Sequence, residues 1–235
     1  MLALAIETSH EPGSIALLRN GLVLEECALS AGRRRGQSLV LEIRQLFSRH
    51  GLAASQTELV AVGIGPGSFT GLRVGIVAAK SIAYACGIPV AGVPTLRTIV
   101  ENVPEEFGRA TVAIDAQRQE LFLQRLRRKS DGGWIAESEV EIVPIDEWCA
   151  GLSGEDVVLG PGLEPFREIL NGKCRLLDDS MWIPRAGVVG ELGQKPEYQQ
   201  TAWDVVPLYV RKSAAEEKWE KKPVGEVGEE TKSPG

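Results

Sequence analysis

Residues 59–75 read LVAVGIGPGSFTGLRVG. Leu59 to Ile64 is an apolar run with the pattern of a buried strand. Gly65-Pro66-Gly67-Ser68-Phe69-Thr70-Gly71 breaks it. Beyond the break, Leu72, Ile76, Ala79 and Ala83 fall at three- and four-residue steps, one face of a helix. Ser68 or Thr70 can cap that helix, and Gly87 with Pro89 ends it. The unit is strand, glycine turn, helix. Two readings of the turn stand side by side. Free N–H groups at a helix N-terminus attract phosphate, and glycine equally serves a structural corner. The spacing of Gly65, Gly67 and Gly71 is G-x-G-x-x-x-G, with Thr70 where a dinucleotide fingerprint needs its third glycine. Lys80 is too far on for a P-loop, and Ser68 directly follows Gly67, unlike a nucleophile elbow.

The chain has 235 residues and is 43% hydrophobic, enough for a large core and two lobes. A net charge of −6 with both signs interspersed argues against a free-standing nucleic-acid binder. The four cysteines, at 27, 86, 149 and 174, form no C-x-x-C and read as reduced, mostly buried thiols. No basic segment precedes the apolar N-terminal residues, and Glu7 interrupts them, so no signal peptide is expected. Val74 to Val93, the most apolar later stretch, contains Lys80, Gly87 and Pro89 and does not read as a membrane span. The expectation is a soluble, cytoplasmic chain.

Leu2 to Glu7 and Ser14 to Arg19 read as strands, and Asn20-Gly21 as a two-residue hairpin turn into Leu22–Leu29. Arg33, Arg34 and Arg35 sit in a loop at 32–36, read as a solvated charge run or an RNA-phosphate contact. Gln37 to His50 is a helix with Leu39, Ile43, Leu46, Phe47 and His50 on one face, His50 serving the helix dipole. After the organising unit come a strand at 88–93 and a short helix that Thr95 can cap. Three antiparallel strands before any helix are not a doubly wound opening. Thr111–Asp115, Glu120–Arg127 and Trp134–Val143 read as a second such meander, with Asp131-Gly132-Gly133 as a turn. A helix at 146–150, a strand at 156–159, the turn Gly160-Pro161-Gly162, a helix at 164–170, a strand at 174–177, a helix at 188–192 and a last strand at 208–210 follow. From Ser213 the composition turns to Glu, Lys, Gly and Pro, and a disordered tail, 213–235, is expected.

GPGSFTGLRVG after an apolar strand resembles the signature of the bacterial TsaB (YeaZ) family, as do LAIETS at 4–9, GVPTL at 92–96, AIDAQRQELF at 113–122 and PLYVR at 207–211. The resemblance implies an α/β, actin/Hsp70-like (ASKHA) fold of two RNase-H-like lobes, mixed sheets flanked by helices, split at 1–103 and 104–212. It implies the non-catalytic dimerisation subunit for threonylcarbamoyladenosine synthesis beside the tRNA anticodon. Its partners would be a TsaD-type catalytic paralogue and a TsaE-type small ATPase, with tRNA met only through the complex and a homodimer formed in isolation. The partner surface would be the two first-lobe helices, which are apolar beyond one stripe: Val40, Leu41, Arg73, Val74, Val77, Ala78 and Ile82. Plain burial under the second lobe is the bland alternative.

Glu7, Thr8 and Ser9 after the first strand, Asp115 in the second meander, and Gly160 and Gly162 sit where this superfamily holds Mg²⁺–nucleotide; the alternative is a degenerate cleft whose acids only cap loops. No cofactor is required, and weak ATP or ADP binding is the furthest this extends. The catalytic paralogue's H-x-x-x-H pair has no counterpart: Gln37 stands where many relatives have histidine, and the two histidines are His10 and His50. A glycoprotease-like serine or metal hydrolase is the rival reading, with Ser68 as nucleophile, as is an independent ATP-binding protein.

Removing residues from 214 onward should change unfolding free energy by well under ~1 kcal/mol, since the tail has too little apolar content to pack. A fall of many degrees in Tm on truncation would show that it docks, through Trp219.

Overall fold

The computed structural model of the chain describes residues 1–30 and 35–211. The expectations for Arg33, Arg34 and the tail lie outside them. β1 (Leu2–Glu7), β2 (Ser14–Arg19) and β3 (Leu22–Ala28) form an antiparallel meander. Asn20 and Gly21 both take positive φ, 52° and 85°, as the hairpin turn requires. α1 (Arg35–Arg49) begins earlier than the periodicity predicts. β4 (Leu59–Gly65), α2 (Phe69–Cys86), β5 (Val90–Pro94) and α3 (Thr95–Val100) follow. β4 runs parallel to β1, and β5 parallel to β4.

β6 (Arg109–Asp115) and β7 (Glu120–Arg128) open the second sheet. The single strand expected over 134–143 is two, β8 (Trp134–Ala136) and β9 (Glu141–Pro144), both paired with β7. Between them Glu137 turns to Arg109 and Arg127, and Ser138 accepts from the Arg125 N–H, so side chains replace the ladder. α4 (Ile145–Ala150), β10 (Val157–Leu159), α5 (Arg167–Leu170), β11 (Arg175–Leu176), α6 (Ala186–Gly193) and β12 (Gln199–Gln200) complete the elements. The helix expected over 164–170 is half 3₁₀, over Pro161–Phe166, where Pro165 has no N–H to give.

The first sheet is ordered β12-β5-β4-β1-β2-β3 and the second β11-β10-β6-β7-β8, with β9 also on β7. Stripped of β12, the order is the same: a meander whose first strand pairs in parallel with a later strand, which pairs in parallel with the next. This is the duplicated, actin/Hsp70-like arrangement of mixed sheets flanked by helices.

The boundary at 103 divides the strands, apart from β12, but not the helices. Leu96, Ile99 and Val100 of α3 pack into the second lobe's core. α6 returns to the first sheet, where Ala186, Val189 and Leu192 meet Ala3, Ala5, Ala16, Ala61 and Ala91. These small side chains bring the helix so close that a Cβ at Gly190 would collide with Leu18. Thr95 lies inside α3 and caps nothing; Pro94 is the N-cap. No strand forms at 208–210. Leu208 N–H donates to Ile64 O at 2.8 Å, and the rest of the segment is held by side chains.

The opposite face of the first sheet buries Leu4, Ile6, Ile15 and Leu17 under α1 and α2. The glycine turn seats α2 there. Thr8 Oγ donates to Gly71 O at 2.8 Å, and a Cβ at Gly71 or Gly75 would strike Thr8. Gly63 likewise leaves room for the Glu7 carboxylate, which accepts from the Ser9 N–H at 2.6 Å. Glu7 is wholly buried and its Oε2 has no partner among the described residues. Burial pushes its carboxyl above the usual range, against the Ser9 and Thr8 N–H groups, which pull it down.

A carboxyl raised on folding stabilises below its unfolded pKa, about 4.3, and loses that contribution as pH rises through the folded value. Glu7→Gln keeps an acceptor for Ser9 and removes the charge. Its gain in unfolding free energy should be near zero at pH 4 and roughly 1–3 kcal/mol at pH 8. Urea unfolding at the two pH values checks this; equal effects at both would mean that Glu7 is ionised throughout.

Candidate partner-binding surface

α2 is held at both ends by its own sequence. Ser68 Oγ accepts from the Gly71 N–H at 3.2 Å, and Gly87, at φ 67°, closes the helix by donating to Ala83 O and Tyr84 O. Leu72, Ile76, Ala79 and Ala83 form the buried stripe. On the far side, Arg73, Val77 and Tyr84 are exposed, Val77 by 62% and Tyr84 by 71%. α2 is the one described helix with the length and mean hydropathy, 1.2, of a membrane-crossing segment. Its buried stripe packs along β4, Val74, Ala78 and Ile82 are half-buried against the same core, and the apolar surface they and Val77 leave exposed is surplus.

That surplus lines an open groove of about 1070 Å³ between α1 and α2. Of the residues expected at a partner surface, Val40, Arg73, Val74, Val77, Ala78 and Ile82 line it. Leu41 is exposed but stands off the groove. Plain burial under the second lobe is corrected: Val40 and Val77 are each 62% exposed.

One part of this surface has no periodic signal in the sequence, only the PLYVR stretch at its end. Residues 201–211 form a strap along α2. Lys80 Nζ donates to Val205 O at 2.9 Å and Trp203 O at 3.4 Å, and Val205 is fully buried. Tyr84 and Trp203 meet edge to face, with ring centroids 5.9 Å apart. Arg73 stacks on Phe69 at 4.0 Å and donates to the Tyr209 hydroxyl at 3.1 Å. Arg211 then reaches the second lobe, donating to Ala116 O at 2.7 Å and pairing with Glu120.

The signature loop spends its polar groups on structure. Ser68 N–H donates to Ser9 O at 2.7 Å, and its hydroxyl is the helix cap. His50, directly after the last residue of α1, has its Nε2 2.8 Å from Glu25 Oε2. Arg49, the Cys27 thiol and His50 together hold the Glu25 carboxyl down at about 2. The Cys27 thiol is pushed up by burial and by that carboxylate.

The residues expected at a nucleotide cleft fall into two groups. Glu7, Thr8 and Ser9 are buried against the signature loop. Asp115, exposed at the end of β6, accepts from the Gln117 N–H at 2.7 Å and from Gln117 Nε2 at 2.8 Å. Gly162 packs against the Asp115 and Ile114 backbone and Gly160 against Ala113. Among the described residues no hydrogen bond joins the two groups.

Known proteins fit this geometry. The family model described as TsaD: tRNA N6-adenosine threonylcarbamoyltransferase matches residues 29–137. A protein of Escherichia coli (strain K12) named tRNA threonylcarbamoyladenosine biosynthesis protein TsaB is 32% identical over 174 residues, covering 72% of this chain and 75% of that one. The protein of that name from Bacillus subtilis (strain 168) is 27% identical, covering 93% of this chain and 98% of its own. The solved structure of YeaZ from Pseudomonas aeruginosa superposes with a TM-score of 0.73 at 26% identity, over 89% of this chain and 99% of that one. The chain belongs to the TsaB (YeaZ) family of tRNA threonylcarbamoyladenosine biosynthesis proteins.

Proposed function

We propose that the chain is the non-catalytic scaffold and activator of threonylcarbamoyl transfer to tRNA, pairing through α1 and α2 with a TsaD-type catalytic paralogue. The observation that carries this is the open apolar groove, with Val40 and Val77 exposed at its walls. An apolar groove left open between two helices of a folded domain is a surface on which a partner can dock. The match of a TsaD family model across residues 29–137 supports a partner of like fold, since that span holds both helices. Two such helix pairs would pack around a pseudo-two-fold axis, and without the paralogue a second copy would take its place. A TsaE-type ATPase would act on the assembled pair, and tRNA would reach the chain only through it.

A non-catalytic role accords with the spent chemistry of the signature loop. The Ser68 hydroxyl caps α2, and His50 is tied to Glu25. The hydrolase reading needs a base at Ser68, and no observation favours it.

Val77→Glu tests the reading. The side chain is exposed, so unfolding free energy should change by no more than about 0.5 kcal/mol. An unpaired carboxylate in a desolvated interface should weaken binding to the paralogue by roughly 100-fold or more, and threonylcarbamoyladenosine formation with it. Sedimentation of wild type and variant, alone and with the paralogue, measures both. A folded variant that still pairs and still supports modification would put the partner surface elsewhere.

A further inference from the structure

The contacts of the strap fix its course. Residue 209 lies against 73, 205 against 80 and 203 against 84. Eleven residues of helix rise about 16 Å and six extended residues about 20 Å, so the strap runs extended and antiparallel to α2. The Lys80 ammonium, donating to two strap carbonyls, fixes the backbone at Trp203 and two residues beyond it. Asp204 accepts from the Thr201 hydroxyl at 2.6 Å, closing the turn. The outcome is a tryptophan 75% exposed on a pinned backbone, against a tyrosine 71% exposed. Aromatic rings held out in this way lose little freedom when they are covered, which is the property of binding anchors. Tyr84 stands about two helical turns beyond Val77 on the same face of α2, next to Ala85 at the groove's end and not itself in its lining.

The charges around the groove also have one sign. In a chain of net charge −6, α2 carries Arg73 and Lys80 and no carboxylate. α1 has one, Glu42, which accepts from the Ser30 N–H at 3.2 Å and does not line the groove; Arg44 and Arg73 do. We propose that the docking surface extends past the helix pair onto the strap, and that its occupant is an amphipathic helix of the partner whose apolar stripe packs on Tyr84 and Trp203 and whose flanks carry carboxylates facing Arg44 and Arg73. This rests on the helix-pair reading above and adds the partner's chemistry and the anchor.

Binding of purified TsaD-type paralogue to the full chain, measured by calorimetry and by association rate against salt, tests it. Trp203→Ala and Tyr84→Ser, both on exposed side chains, should each weaken binding by about 30-fold, with the fold kept and Tm lowered by no more than the loss of their mutual contact. Arg44→Glu should slow association several-fold and abolish its fall with added salt. Binding by Trp203→Ala and Tyr84→Ser within twofold of wild type, while Val77→Glu abolishes it, would overturn the proposal and leave the helix pair intact. Normal binding by Val77→Glu would overturn both. Association that quickens with salt, or with Arg44→Glu, would mean a cationic occupant and overturn the proposal. So would a Trp203→Ala chain that loses only self-association, since the occupant would then be a second copy.

Discussion

Everything on the first lobe's outer surface depends on one close approach, that of Glu7-Thr8-Ser9 to the start of α2. Thr8 can touch the helix backbone because residues 71 and 75 have no side chain, and Glu7 can lie across β4 because residue 63 has none. A Cβ at residue 71 would strike the Thr8 backbone and lift α2 off the sheet, and one at 75 or 63 would displace the Thr8 or Glu7 side chain. Once α2 is seated, its azimuth is fixed, with Ile76, Ala79 and Ala83 turned down and Val77 and Tyr84 turned out. The glycine turn therefore acts as a corner, and the exposed groove is its consequence.

Much of this was legible in the sequence because it follows short-range rules. Asn20-Gly21 names its turn, Leu59–Gly65 its buried strand, and Ser68 and Gly87 the ends of α2. The surface residues were legible by subtraction, as apolar positions left over once the helical stripe was filled. Leu41 shows the limit of subtraction, because an exposed apolar residue need not face the groove.

What could not be read is long-range and has no period. The strap is held by a lysine bonding carbonyls 123 and 125 residues away, and a carbonyl is the same in every residue. The exchange of α3 and α6 between lobes is invisible for a related reason. Each helix carries a plain apolar stripe, and nothing in a stripe says which sheet it will cover. Thr95 illustrates the local form of the problem. It has the chemistry of a cap, but Pro94 already takes the extended conformation of the N-cap, so the threonine is drawn inside and buried.

That exchange bears on how the two lobes can move. In a duplicated fold whose halves keep their own helices, a cleft can open by rotation about the chain crossings. Here α3 is part of the second core and α6 of the first, and Arg211 ties the strap to the β6–β7 hairpin. Opening the lobes would expose Leu96, Ile99 and Val100 or Ala186, Val189 and Leu192, each apolar side chain costing on the order of 1–3 kcal/mol. Relative motion of the two lobes is therefore costly. Lys80 and Arg211 tie the strap to α2 and to the β6–β7 hairpin, so a ligand that covers these elements together would spend little of its binding energy on ordering them.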